Sequence, residues 1–321
     1  MVDAPVLFMF FNRPDTTKKV FEEIRKARPR KLFLASDGPR NDAEKKKVQD
    51  LREYILKNIN WKCDVKKLFR ERNLGCKLAV SQAITWFFRN VESGIILEDD
   101  CLPNSSFFTF CEELLKKYKN DERIMMITGT NYFTKVNIPE SYLFSRHPNI
   151  WGWATWGRAW DKYDIDIKAW DSIKKKKYLD YLLRDKFATK YYEINFDYMR
   201  QKFVDTWDYQ WVFACLFNNG LCITPKVNLI SNIGATGAHA SKKTSINFLK
   251  TYELPKKLIH PDYVFANRYY DEILYKRRKL YETKLIILNF GKNVLTKLGL
   301  FEVSWPLYKK LKNILSSLTS N

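Results

Sequence analysis

Gly94-Ile95-Ile96-Leu97-Glu98-Asp99-Asp100 joins a short apolar run directly to three carboxylates. A continuous apolar run of this kind, bounded by turn signals, reads as a strand buried on both faces. Three adjacent carboxylates at its end repel one another, and they are costly unless solvated or neutralised. A hard divalent cation would neutralise them, because Mg2+ or Mn2+ typically uses one or two carboxylates together with substrate phosphates. The plain alternative is a solvated acidic turn. The position after a buried-looking strand, in a chain with a basic excess, weighs toward the cation.

Working outward, the same strand pattern recurs. Pro5 to Phe11 is an apolar run broken by Asn12-Arg13-Pro14-Asp15. Asp15 is placed to cap the helix that follows, with Val20, Phe21 and Ile24 on its inner face. Lys31 to Ala35 is a short strand that ends in the turn cluster Ser36 to Arg40. Ala43 to Ile59 is a charged helix with an apolar stripe through Val48, Leu51, Tyr54 and Ile55. Asp64 to Arg70 reads as a third strand, and Leu78 to Phe88 as an apolar helix before the GIIL strand. Strands alternating with helices predict βαβ units, an α/β fold and a mainly parallel sheet. Ligands on such sheets bind at the carboxyl ends of strands. Polar clusters 12–15, 36–40 and 98–100 all fall there.

The second half is less regular. Phe107 to Tyr118 reads as a helix and Ile124 to Thr128 as a strand. Residues 149–160, NIWGWATWGRAW, hold four tryptophans in twelve residues, more often core than a sugar-stacking platform. Lys174 to Lys177 is a lysine run before aromatic-rich helical sequence that reaches Val204. WDYQW, 207–211, opens an apolar helix to Phe217, Asn218-Asn219-Gly220 makes a turn, and Leu221 to Thr224 reads as a last strand.

The whole chain has 321 residues, 45% hydrophobic and 16% aromatic, too apolar for a disordered protein. With 29% charged residues and no apolar stretch of about 18 residues, it has no sequence span for a bilayer. A net charge of +20 predicts an anionic partner without choosing among nucleotide, phosphate, nucleic acid and acidic membrane. The six cysteines form no CxxC pair and sit largely in apolar runs, the pattern of reduced, buried thiols in a cytoplasmic protein. The opening MVDAPVLFMFF carries Asp3 and no basic n-region, so no signal peptide is expected.

Several single residues could carry chemistry. Asp37 could bond a ribose or base edge, or only its own turn backbone. Arg13 could meet a pyrophosphate, or be a surface residue. Asp208, between Trp207 and Tyr209, could accept a proton in an apolar setting or cap its helix. His239, in the small-residue loop Ser231 to Ser241, could ligate or be solvated.

Together these pieces resemble nucleotide-sugar glycosyltransferases of the GT-A fold. PVLFMFFNRPDTT looks like their first strand and nucleotide turn, and Ser36-Asp37-Gly38 like their second strand end. Arg72-Asn73-Leu74-Gly75 resembles a segment of family 2 enzymes, and Glu98-Asp99-Asp100 the acidic metal motif in the form of the N-acetylglucosaminyltransferase I group. WGWATWGRAW, WDYQW and GATGAHAS follow in the order of that group's acceptor, base and late His segments, although Tyr209 stands where its second Asp would be. The resemblance covers residues 4 to 242. It implies a Rossmann-like α/β/α domain over residues 1–255 and a metal-dependent, inverting transfer of a sugar from a nucleotide-diphosphate donor to a glycan or lipid-linked glycan hydroxyl. Asp100 and His239 would face Mn2+ or Mg2+. Asn12, Arg13, Asp37, Asn73, Glu98 and Asp99 would face the donor, and Asp208 would be the base, with Asp205 next in line. A nucleotidyltransferase is the alternative enzyme, but no glycine-rich loop follows the first strand. A non-catalytic nucleic-acid or membrane module is the other; no recognition motif supports nucleic acid, and the acidic triplet would repel it.

Residues 256–321 read as a basic, amphipathic helical extension. Ile287, Phe290, Val294, Leu298 and Phe301 share a helix-like spacing with lysines between them, and Lys276-Arg277-Arg278-Lys279 precedes them. Such a segment could lie on an anionic membrane as a peripheral anchor, or pack on the domain.

Overall fold

Each apolar run became a strand with alternate side chains in two separate cores. The computed structural model describes residues 1–133, 135–234 and 249–280. In β1 (Val6–Phe10), Val6, Phe8 and Phe10 enter one core while Leu7 and Met9 enter the other. In β2 (Lys31–Ser36), Leu32 and Leu34 divide from Phe33 and Ala35 in the same way, and in β4 (Ser93–Glu98) Ile95 and Leu97 divide from Ile96. A strand with both faces covered has no reason to carry polar positions, so these runs are continuous rather than alternating. β3 (Asp64–Phe69) lies at the sheet edge and is largely half-exposed, which accounts for its lysines.

Helices cover both faces. α1 (Pro14–Ala27), α2 (Asp42–Lys57) and α4 (Ser105–Lys117) build the first core through Phe21, Ile24, Leu51, Ile55, Phe107 and Leu114. α3 (Gly75–Phe88), α5 (Gly157–Trp160) and α9 (Asp208–Phe217) build the second through Ile84, Phe87, Trp160 and Trp211. Asn41 and Asn104 cap α2 and α4, each accepting a backbone N–H at 3.2 Å. The expected cap at Asp15 is corrected: α1 starts at Pro14, Asp15 lies inside the first turn, and no side chain caps it. Proline at N1 needs no donor partner, so the helix opens without an acceptor there.

The remaining strands are β5 (Cys101–Pro103), β6 (Ile124–Thr128), β7 (Tyr142–Ser145), β8 (Trp153–Trp156), β9 (Leu221–Pro225) and β10 (Ile230–Asn232). Among the described residues eight strands form one sheet in the order β3-β2-β1-β4-β8-β6-β9-β7. The pairs around β1, β2 and β4 and the β6–β9 pair are parallel; β8 runs antiparallel to both neighbours and β7 antiparallel to β9. This is the mainly parallel, Rossmann-like α/β/α arrangement expected of the chain. β5 and β10 make a separate antiparallel ladder. β5, β7, β8 and β10 have three or four residues each, too few for a periodicity to register.

α6 (Trp170–Lys175), α7 (Tyr178–Leu183) and α8 (Lys186–Arg200) form a helical lobe. Trp170, Tyr192 and Phe196 of this lobe pack on Phe213 and Leu216 of α9. Residues 249–280 also pack on the sheet. Leu254 and Leu258 join the first core, and α10 (268–280) lays Tyr270 and Leu274 against Leu143 of β7. Residues 281–321, with most of the expected amphipathic extension, lie outside the described residues. No helix among the described residues is long and apolar enough to cross a membrane. All six cysteines are free, four of them buried.

Of the four tryptophans in 149–160, Trp153, Trp156 and Trp160 are buried in the core and Trp151 is half-buried. Trp153 packs on Trp207 at 5.7 Å and on Trp211 at 5.5 Å between ring centroids, and Trp160 stacks on Tyr163 at 4.3 Å. Trp153 brings a buried Nε1–H that has no partner among the described residues. Trp153→Ala should therefore lower stability by about 3–5 kcal/mol. Trp153→Phe, which keeps a ring and removes the orphan donor, should cost less than about 1.5 kcal/mol. Urea unfolding of both variants checks the difference.

Candidate active site

Parallel pairing of β1, β2 and β4 brings their carboxyl ends to one edge of the sheet, and the three polar turns meet there. Asp99 is the buried centre of this edge. Its carboxylate accepts from the Phe11 backbone N–H at 3.4 Å, from the Thr17 hydroxyl at 3.3 Å and from the Arg13 guanidinium. Arg13 also reaches Asp100 at 3.0 Å. Burial opposes the Arg13 charge, but Asp99 and Asp100 more than offset this and hold the guanidinium protonated. Burial pushes the Asp99 carboxyl up while Arg13 pulls it back. Glu98 has no such cation in contact. Burial first, then Asp100 and Asp99, push its carboxyl up to about 8.

Asp37 and Asn73 meet in the next loop. Asp37 accepts from the Leu74 backbone N–H at 3.0 Å and from that of Gly38 at 2.9 Å. Asn73 donates to the Gly38 carbonyl at 2.9 Å. Both side chains tie the loop after β2 to the loop before α3. Asn12 donates to Glu44 at 2.8 Å and so links the β1 turn to α2. An open groove of about 340 Å³ lies beside these loops, lined by Arg40, Lys45, Arg72 and Asn73 among others. None of its lining residues belongs to the acidic strand end.

Asp205 and Asp208 divide their work. Asp205 accepts from the backbone N–H groups of Cys76 at 2.8 Å and Lys77 at 3.0 Å, capping α3 from more than a hundred residues away. Gly75 has φ +77°, and a Cβ there would sit 2.5 Å from the Asp205 Oδ2, so both the turn and the cap require glycine. Asp208 lies in the first turn of α9 with Oδ1 held by the Thr206 hydroxyl at 2.5 Å; it does not cap the helix. The Asp208 charge acts on Glu98, and Cys76 senses Glu98, Asp205, Asp208 and Arg13 together. Asp208 and Glu98 are thus close enough for each to act on the other's charge.

Pairing of β10 with β5 brings Gly234 onto Asp100, where a Cβ would collide with its carboxylate. His239 lies outside the described residues. Among the described residues no three His, Cys, Asp or Glu side chains gather as a metal cage. The donor set is hard carboxylate oxygen, with the Asp100 side chain 18% exposed and that of Asp99 4% exposed. This fits a divalent cation that takes one carboxylate from the protein and the rest of its shell from phosphates and water.

Tyr132, Tyr191, Tyr209 and Arg278 cluster near Asp208, and the sequence reading nominated none of them as a site residue. Tyr132 packs on Trp151 at 5.8 Å, and Arg277 donates to the Tyr132 carbonyl at 2.8 Å. In the basic run 276–279, which precedes a segment expected either on an anionic membrane or packed on the domain, Arg277 and Arg278 are half-buried and Lys276 and Lys279 are exposed. The signal was present as spacing, because Asp271, Leu274, Tyr275 and Arg278 fall on one helix face.

No protein-family model matches this sequence, and no curated protein sequence does. Solved structures overlap it in part. A mannosyltransferase from Pyrobaculum calidifontis in complex with GDP-Man and Mn2+ is 12% identical over 48% of this chain and 44% of its own, with a TM-score of 0.32. Residues 1–349 of TarS from S. aureus are 7% identical over 72% of this chain and 61% of their own, at 0.38. A 4-diphosphocytidyl-2C-methyl-D-erythritol synthase from Anaerococcus prevotii is 9% identical over 50% and 76%, at 0.31. The chain spans less than half the length of the mannosyltransferase.

Removing Arg13 would leave Asp99 buried beside Asp100 and Glu98 without its cation. Arg13→Met should cost about 3–5 kcal/mol, and adding Asp99→Asn to it should recover a large part. Equilibrium unfolding of the single and double variants measures both.

Proposed function

We propose that the chain is a nucleotide-sugar glycosyltransferase that works with a divalent cation and inverts the transferred sugar. The observation that carries this reading is the acidic strand end at the carboxyl edge of the sheet, with Asp100 partly open and held by Arg13 and with the Asp208 charge near enough to act on Glu98. The donor diphosphate lies against Asp100, and Arg13 turns from Asp100 to a phosphate oxygen as the donor enters. Held by Asp100 and the diphosphate, Mn2+ or Mg2+ would supply neutralisation of the leaving nucleoside diphosphate. Asp99 stays with Phe11 and Thr17 and fixes the turn that carries Arg13. Asp37, Asn73 and Asn12 shape the nucleoside end by tying its loops together.

Asp208 is the base. Thr206 orients one carboxylate oxygen, and the other takes the proton of the acceptor hydroxyl as that oxygen attacks the anomeric carbon. Attack opposite the leaving phosphate inverts that carbon in one displacement. The acceptor, a glycan or lipid-linked glycan, enters along the Tyr132 and Trp151 wall. Cys76 takes no part, since burial, and then Glu98, hold its thiol protonated.

Two variants test this. Calorimetric titration of a panel of nucleoside diphosphates should show affinity that depends on Mn2+ or Mg2+ in the wild type. Asp100→Ala should lose that dependence, and metal-dependent affinity unchanged in the variant would remove Asp100 from the site. Asp208→Asn should keep donor affinity and lose about 10²–10⁴ in transfer rate. Near-full turnover at saturating donor and acceptor would place the base elsewhere.

A further inference from the structure

Arg278 stands on the inner face of α10, four residues after buried Leu274 and three after buried Tyr275. Its Cζ lies 4.5 Å from the centre of the Tyr191 ring. Its Nη2 lies 3.4 Å from His147 Nε2. His147 is buried, and burial first, then the Arg278 charge, hold its imidazole neutral. Nε2 therefore accepts from Arg278, and Nδ1 carries the hydrogen it shares with the Tyr192 hydroxyl at 2.8 Å. The Tyr191 and Tyr209 hydroxyls meet at 2.5 Å beside it. No carboxylate among the described residues forms an ion pair with Arg278, whereas Arg13 has two.

A guanidinium carries five N–H donors and a permanent charge. Tyrosine faces and a neutral imidazole hold it in place without cancelling that charge. Withdrawing such a group from water is unfavourable unless an anion meets it. The position says which substrate brings the anion. Tyr209 follows Asp208 directly, and Tyr132 senses both Asp208 and Arg278. Arg278 lies over Tyr191, whose hydroxyl meets that of Tyr209, the neighbour of Asp208, and this chain of contacts puts Arg278 on the Asp208 side.

We propose that Arg278 is an oxyanion subsite for the acceptor, which carries a phosphate or carboxylate close to the hydroxyl that reacts. Tyr191 and Tyr209 fix the plane of the guanidinium so that two of its N–H groups face that oxyanion. The subsite rests on the transferase reading above, because Asp208 defines the acceptor side. It makes Arg278 a residue of acceptor specificity, and an uncharged acceptor would leave the guanidinium unpaired.

The test uses the full chain and two probes, inorganic phosphate and glucuronate, titrated with and without a saturating nucleoside diphosphate and Mg2+. The wild type should bind one oxyanion, and the nucleotide complex should not displace it. Arg278→Met should weaken that binding about tenfold or more, the loss of a charge-assisted hydrogen bond, while Arg278→Lys should keep most of it. Preference for phosphate assigns a phosphorylated acceptor, and preference for glucuronate a carboxylated one. Displacement by nucleotide, equal binding by Arg278→Met, or no uptake of either oxyanion by the wild type would overturn the subsite. Should Arg278→Met fail to fold, the competition in the wild type decides alone. A wild type that binds no nucleoside diphosphate sinks the transferase reading, while oxyanion binding lost in Arg278→Met still reports on Arg278 itself.

Discussion

Three carboxylates at the end of a buried strand repel each other, and the first βα unit is built around the cation that offsets this. Arg13 comes directly after β1 and turns onto Asp99 and Asp100. The Phe11 backbone and Thr17 of α1 complete the shell of Asp99. The β1–α1 turn therefore closes on the turn that follows β4, the strand β1 pairs with. Glu98, next in line and half-buried, has no contacting cation among the described residues and holds its proton more tightly.

A second long-range contact carries the same logic to the far half of the chain. α3 begins with unsatisfied N–H groups, and no residue of its own caps them. Asp205 does so from the loop before α9. That loop also holds Thr206 and Asp208, so capping one helix positions the carboxylate that opens another. A left-handed glycine at 75 is the condition for the close approach. Helix α9 is further held by Trp207 and Trp211 against Trp153.

The first half of the fold was legible because its strands are buried on both faces and end in polar turns. A run such as Val6–Phe10 or Ile95–Leu97 has one plausible use, and the clusters at its end mark the ligand edge. The second half was less legible for two physical reasons. Its strands are three to five residues long, and a residue such as Trp153 serves a strand and a ring stack at once. Local sequence could nominate Asp99, Asp100 and Asp208, yet it could not separate Asp205 from Asp208, since that distinction depends on a helix end far away in the chain. It likewise read Arg278 within a basic run, where only the face of α10 distinguishes it from Lys276 and Lys279.

Arg13 and Arg278, both half-buried, show how one side chain is put to opposite electrostatic uses. Arg13 faces two carboxylates, so its charge is spent within the protein and the acidic strand end is left close to balance. Arg278 faces tyrosines and a neutral histidine, which bind its faces and edges but carry no charge to cancel it. In the transferase reading proposed above, the carboxylates with a bound cation would meet the diphosphate and Arg278 would meet an oxyanion, so that the two ends suit a substrate that is itself asymmetric in charge. Tyrosine and tryptophan are the side chains that can enclose a guanidinium closely while leaving its charge available.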